Sequence, residues 1–166
     1  METGSGGIGH TGTLETGSGG IGHTGTLETG SGEIGHTGTF ETGSGVVISY
    51  VQQDASGVTG SLRDYAEQYG VEESLLMTLL RKMGFERSEL ECNIQDMSEG
   101  QKKKVLLGRS LCQQADLHIW DEPLNDIDVL TRMQIEDVVL KYQPTLLFVE
   151  HDHFFERKIA TKVVRL

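Results

Sequence analysis

The chain is predicted to have an α/β fold, because short apolar runs typical of buried strands alternate with segments of helical periodicity. The strand-like runs are residues 46–51, 117–123 and 145–149, and each ends at polar or charged side chains. Helical patterns fill most of the sequence between them, and the tail at residues 162–166 is also predicted to form a strand. The first 45 residues add little to this fold, since glycine, threonine and serine dominate them.

A 13-residue repeat occupies the start of the chain. The unit ETGSGGIGHTGTL at residues 2–14 recurs identically at 15–27 and as ETGSGEIGHTGTF at 28–40, and a fourth copy begins at Glu41. Natural solenoid repeats drift while keeping their core positions, whereas these copies are nearly identical and carry few apolar residues. Two origins fit this pattern: an artificial duplication, or a natural low-complexity arm.

The repeat divides the chain into a segment of Gly/Thr-rich copies at 1–45 and a globular segment at 46–166. The recurring histidines His10, His23 and His36 could suggest a metal site, because imidazole is a common ligand. None of them has a second ligand at a defined helical or hairpin spacing, so no metal site is expected in the repeats.

Composition disfavours several classes of function. The formal net charge of -11 argues against general electrostatic binding of DNA, because phosphate contacts require clustered Lys and Arg. The net charge does not exclude a partner that contains RNA. Cys92 and Cys112 lack the spacing of a disulfide framework or a zinc site, which favours a reducing cytoplasm. Neither a leader peptide nor an apolar run of roughly 18 residues occurs, so no membrane span is expected.

Residues from about 61 to 112 are predicted to form a small helical subdomain. A first apolar face ends at Gly84 and consists of Leu75, Leu76, Leu79, Leu80 and Met83. A second helix is predicted to begin at Ser98, with Gln101 in the capping-box position. The exposed amides of its first turn would attract phosphate, and Gly100 would let an anion approach the backbone. A well-capped core helix is the alternative interpretation.

The second strand-like run ends in two adjacent carboxylates. Asp121 is suited to hold Mg²⁺, directly or through water, and Glu122 is suited to polarise an attacking water as a general base. The alternative is an acidic surface turn, since strands ending in Asp-Glu-Pro are common.

The order of these motifs resembles the second half of an ATP-binding cassette (ABC) nucleotide-binding domain. Residues 97–104, MSEGQKKK, resemble the signature motif, and residues 117–123, LHIWDEP, resemble the Walker B strand. Residues 124–128, LNDID, resemble the D-loop, and residues 149–152, VEHD, resemble the switch loop. The resemblance covers roughly residues 35–166. It implies a partial P-loop NTPase fold, with a parallel sheet and a small helical subdomain, preceded by the Gly-rich repeat.

The same resemblance implies a role for each matching residue, with ATP and Mg²⁺ as cofactors. Gln53 would reach the metal and the attacking water, beside the metal ligand Asp121 and the base Glu122, and His151 would contact the γ-phosphate. The residues implied to face ATP on a paired cassette are Ser98, Gly100, Gln101 and Asp128. Two positions depart from the family pattern, namely Glu99, where glycine is usual, and Asp126, where an aromatic residue or histidine is expected.

No Gly-x-x-x-x-Gly-Lys-Ser/Thr phosphate loop occurs in the sequence, and the repeats stand where that loop is expected. The isolated chain is therefore not expected to hydrolyse ATP at a meaningful rate. It looks most similar to the second cassette of ABC-F proteins, which act on ribosomes and in several cases give antibiotic resistance. The expected partners are another ABC cassette and the ribosome. The alternatives are a non-catalytic interaction module and a truncation product.

Overall fold

The computed structural model describes the backbone of residues 24–29, 36–41 and 45–164, and the side chains of residues 45–164. The chain forms two compact units, Met1–Val46 and Val47–Leu166.

The first unit contains an antiparallel strand pair. Strand β1, Thr24–Thr29, pairs with β2, His36–Glu41, in a register that places Thr24 opposite Glu41. Each strand crosses the junction between two consecutive copies of the repeat. The expectation about histidine ligands falls on His10 and His23, which lie outside the described residues, and on the side chain of His36, which is not described.

The second unit is built on a three-stranded parallel sheet in the order β3-β4-β5. These strands are Ile48–Val51, Leu117–Asp121 and Leu146–Val149. The register places Val51 beside Trp120 and Trp120 beside Phe148. The predicted α/β fold with a parallel sheet is therefore confirmed, and all three carboxyl ends lie at one edge of the sheet.

Helices make up most of the rest of the described part of the second unit. They are α1 (Leu62–Gln68), α2 (Glu73–Lys82), α3 (Arg87–Leu90), a 3₁₀ helix (Ile94–Asp96), α4 (Glu99–Cys112), α5 (Val129–Tyr142) and α6 (His153–Ile159). Helix α2 is followed by Gly84 at φ +91°, where glycine carries no steric penalty. Within the described residues, no helix combines the length and apolarity required to cross a bilayer.

The core lies where α2 and α4 pack together and where Trp120 and Phe155 fill the buried face of the sheet. A Cβ on Gly108 of α4 would lie 3.2 Å from Leu76 and 3.3 Å from Leu80, so a small residue permits this close helix contact. The predicted apolar face of α2 is correct for Leu76 and Leu80. It is wrong for Leu75, which is 49% exposed.

Two other expectations about strands require correction. Residues 145–149 were predicted to be buried, yet Leu147 and Val149 are 59% and 42% exposed, because alternate side chains of the last strand in the order face away from the core. The tail at 162–166 was predicted to be a strand, but residues 162–164 form none. Residues 165–166 lie outside the described part.

Candidate functional site

The carboxyl ends of the three parallel strands bring Gln53, Glu122 and His151 together. Gln53 follows β3 and donates from Nε2 to Glu122 Oε2 over 2.8 Å. His151 follows β5, and its Nε2 lies 3.5 Å from Glu122 Oε1. The three residues predicted to be catalytic therefore form one cluster around the Glu122 carboxylate.

Glu122 is held tightly in this cluster. Its side chain is 8% exposed, and its backbone amide donates to Val149 O over 2.9 Å. Its φ is +43°, in the left-handed region that non-glycine residues rarely adopt, and this conformation occurs directly before Pro123. Such a conformation persists only where surrounding contacts determine it, and residues of this kind concentrate at functional sites.

Sequence reasoning missed one member of this cluster, Asn125. Its Nδ2 donates to the same Glu122 oxygen that Gln53 contacts. The Asn125 backbone amide bonds Glu122 O over 3.4 Å, so the turn after β4 brings the amide side chain back to the carboxylate. The only sequence signal was an amide residue three positions after a candidate general base in a proline-containing turn.

The side chain of Tyr50 lies next to Asp121, the predicted metal ligand. The Tyr50 hydroxyl hydrogen bonds the Asp121 carboxylate. Burial, with the charge and hydrogen bond of Asp121 added, raises the pKa of Tyr50 to about 12. No group of three His, Cys, Asp or Glu residues suited to a metal ion occurs among the described side chains. A Mg²⁺ held by Asp121 and Gln53 would take its other oxygen ligands from nucleotide and water, which suits this metal.

The first turn of α4 contains the predicted phosphate-facing residues. Ser98 Oγ accepts from the Gln101 amide over 3.3 Å, and Gln101 Oε1 accepts from the Ser98 amide over 2.9 Å, which confirms the predicted capping box. Gln101 Nε2 also donates to Glu89 over 2.6 Å. Ser98 and Glu99 are exposed, so this helix N-terminus is open to solvent.

Gly100 has a structural role that the sequence did not indicate. A Cβ at this position would lie 2.6 Å from the carbonyl oxygen of Asp126, a distance that real Cβ atoms do not tolerate. The loop after β4 therefore approaches the α4 backbone directly, with Asp126 at φ +61°. The absence of a side chain at Gly100 is required by this loop, whereas the sequence argument attributed it to an approaching anion.

The carboxylate of Asp128 contacts Thr131 and Lys104. Its carboxylate accepts from the Thr131 amide over 2.9 Å at the start of α5 and lies 2.6 Å from Lys104 Nζ. The hydrogen bond from Lys104, followed by that from Thr131, holds the pKa of Asp128 well below its ordinary value. Asp128 thus contacts Lys104 of α4 and Thr131 of α5 rather than the residues around Glu122.

Comparison with known proteins places these elements in a family. The family model described as ABC transporter matches residues 3–125, a range that includes Gln53, the Ser98 turn and Glu122. The Bacillus subtilis (strain 168) protein YdiF is 32% identical over 125 residues, which are 73% of this chain and 20% of YdiF. The ribosome protection protein VmlR of the same organism is 34% identical over 90 residues, which are 54% of this chain and 16% of VmlR.

A solved structure agrees at the level of the fold. The dimeric structure of MJ0796, a bacterial ABC transporter cassette, superposes with a TM-score of 0.57 at 17% identity, covering 68% of this chain and 56% of that chain. The chain spans 20% or less of the length of the two curated relatives.

Proposed function

Because the chain belongs to the ABC transporter family, we propose that it is part of an ATP-binding cassette of the ABC-F type. Its role is to present the Ser98 turn to ATP bound on a second cassette. ATP and Mg²⁺ are the proposed cofactors, and the ribosome is the proposed partner of the whole protein. The similarity to the ribosome protection protein VmlR supports the ribosome as that partner. Antibiotic resistance is proposed only from the resemblance to ABC-F proteins.

The observation that carries this proposal is the exposed, capped N-terminus of the 14-residue helix α4. A helix N-terminus directs unpaired amides and a positive partial charge toward an anion. Glu99 opposes this effect, but Lys102 Nζ lies 2.8 Å from its carboxylate and offsets the negative charge. The contact between Gly100 and Asp126 joins the same turn to the loop after β4.

The residues proposed to act in hydrolysis lie around Glu122, and the same sequence contains no phosphate loop. Phosphoryl transfer depends on positioning the triphosphate, a task that the loop's amides and lysine perform in other ATPases of this class. Glu122 would orient and deprotonate water, while Gln53 and Asn125 fix its carboxylate through their amides. We therefore propose that the isolated chain does not turn over ATP and that its contribution is made in trans.

A mixing experiment tests this function. The chain is added to a complete ABC-F cassette whose own signature serine has been replaced, and hydrolysis of Mg-ATP is measured. Wild-type chain is expected to raise turnover by about tenfold or more, since it restores electrostatic groups around the transferred phosphate. Ser98→Arg is expected to abolish the increase, whereas Ser74→Arg, at an exposed serine in the first turn of α2, leaves it intact.

Two outcomes would count against the proposal. Binding of the partner cassette without any change in turnover would indicate an interaction module. ATP hydrolysis by the chain alone that disappears in Glu122→Gln would show that it holds nucleotide without a partner.

A further inference from the structure

Lys103, the middle residue of the three-lysine run, is buried with 2% of its surface exposed. Its ammonium donates to three main-chain oxygens, those of Gln52 over 2.9 Å, Gln53 over 3.1 Å and Asp121 over 3.2 Å. An ammonium has three donors and no acceptor, so these carbonyls satisfy its whole hydrogen-bonding capacity.

The three carbonyls belong to the carboxyl ends of neighbouring strands. Gln52 and Gln53 follow β3, and Asp121 is the last residue of β4. We propose that Lys103 is a positioning residue that fixes these two strand ends at the separation at which Gln53 reaches Glu122. The inference rests on the proposed function, because positioning by Lys103 matters only if Gln53 and Glu122 orient the attacking water.

The electrostatic surroundings favour this assignment. The Lys103 ammonium is buried, and the carboxylates of Asp121, Glu122, Glu150 and Asp126 attract its positive charge. Burying a cation is costly unless it is paired and hydrogen bonded, and an apolar side chain of similar length would fill the same space at no such cost. The hydrogen bonds to the three carbonyl oxygens, rather than packing, therefore account for a lysine at this buried position.

The neighbouring lysines have different partners. Lys102 pairs with Glu99 over 2.8 Å at the exposed end of α4. Lys104 donates to Met83 O over 2.9 Å and pairs with Asp128. Successive residues of a helix point about 100° apart, so three consecutive lysines contact three different parts of the protein. Lys102, which is 8% exposed, is thus a matched control for a buried lysine in the same helix turn.

Nuclear magnetic resonance of the full chain tests the proposal through the Gln53 side-chain amide, assigned by its loss in Gln53→Leu. In Lys103→Met, this amide signal is expected to move toward that of the exposed Gln134. In Lys102→Met, it is expected to stay at its wild-type position. A folded Lys103→Met chain with an unchanged Gln53 amide would overturn the proposal.

A second measurement needs no variant at position 103 and covers the case in which Lys103→Met does not fold. The ammonium protons of Lys103 are expected to exchange with water at least about tenfold more slowly than those of exposed Lys141, because they are buried and bonded. Equal exchange rates would overturn the proposal. Both measurements use neither nucleotide nor partner, so their failure is distinct from failure of the mixing experiment.

Discussion

The side-chain amide of Gln53 donates to Glu122 Oε2 over 2.8 Å, although 69 residues separate the two in the chain. The contact exists because β3 and β4 are parallel neighbours, so the residues that follow them meet at one edge. Asn125 donates to the same oxygen, and His151 lies 3.5 Å from the other one. The orientation of the Glu122 carboxylate is thus set by the fold itself.

Replacement of Asn125 should show what its contact to Glu122 contributes. Asn125→Ala is expected to lower the free energy of unfolding by about 1.5–3 kcal/mol, because a hydrogen bond to a carboxylate is lost. Asn125→Asp should lower it further, since two carboxylates would then face each other. Urea unfolding measures both effects. Asn93→Ala is the control, because Asn93 makes no side-chain cap hydrogen bond and should change little. Equal losses in Asn125→Ala and Asn93→Ala would contradict this prediction.

A side chain at Gly100 should be destabilising. Gly100→Ala places a methyl group 2.6 Å from Asp126 O, and relieving this clash is expected to cost about 1–3 kcal/mol in urea unfolding. Gly57→Ala is the matched control, since no atom lies within 4 Å of a Cβ there. The close approach of the loop to α4 would be disproved by a Gly100→Ala chain as stable as Gly57→Ala.

Two substitutions of Ser98 separate its cap from its proposed contact with phosphate. Ser98→Ala is expected to cost about 1 kcal/mol of stability through loss of the N-cap. Ser98→Asp should keep the stability, because aspartate caps helices well, yet remove the stimulation of a partner cassette by repelling the triphosphate. Thermal unfolding and the mixing assay report the two effects. Stimulation that survives in Ser98→Asp would mean that Ser98 faces no phosphate.

The stability of the protein should fall in mild acid because of His118. Ser110 Oγ accepts from Trp120 and Ser49, so its own proton is directed at His118 Nδ1, and accepting this bond favours the neutral imidazole. Burial, followed by the Arg109 charge, lowers the pKa of His118. The unfolded state therefore binds more protons, and stability is lost as the pH falls below the ordinary histidine value toward the lowered one.

The measurement for His118 is urea unfolding at about pH 7.5 and about pH 5.5, values that bracket the ordinary histidine pKa. His118→Asn should reduce the loss between them, because the amide oxygen accepts the Ser110 proton without titrating. His153→Asn, at a side chain that is 69% exposed, should leave the loss at its wild-type size. An unchanged loss in His118→Asn would assign the acid sensitivity to other groups.

Local chemistry made several elements predictable. The capping box at Ser98 and Gln101 depends on residues three apart, and the α/β alternation depends on short periodic runs. The exposures of Leu75, Leu147 and Val149 were not predictable, because they depend on which neighbouring elements pack against each side chain. A run of apolar residues indicates that its side chains favour burial, but it does not show whether another element packs against each of them.

The amino-acid sequence by itself determined the elements and the chemistry at their ends, since side-chain periodicity and caps act over a few residues. Only the tertiary structure decided that Gln53 and Asn125 donate to the same oxygen of Glu122. It also decided that Gly100 makes room for the Asp126 carbonyl and that Lys103 binds two strand ends. The reason is geometric: hydrogen bonds act over about 3 Å, and separations of this size between distant residues are set only when strands and helices pack.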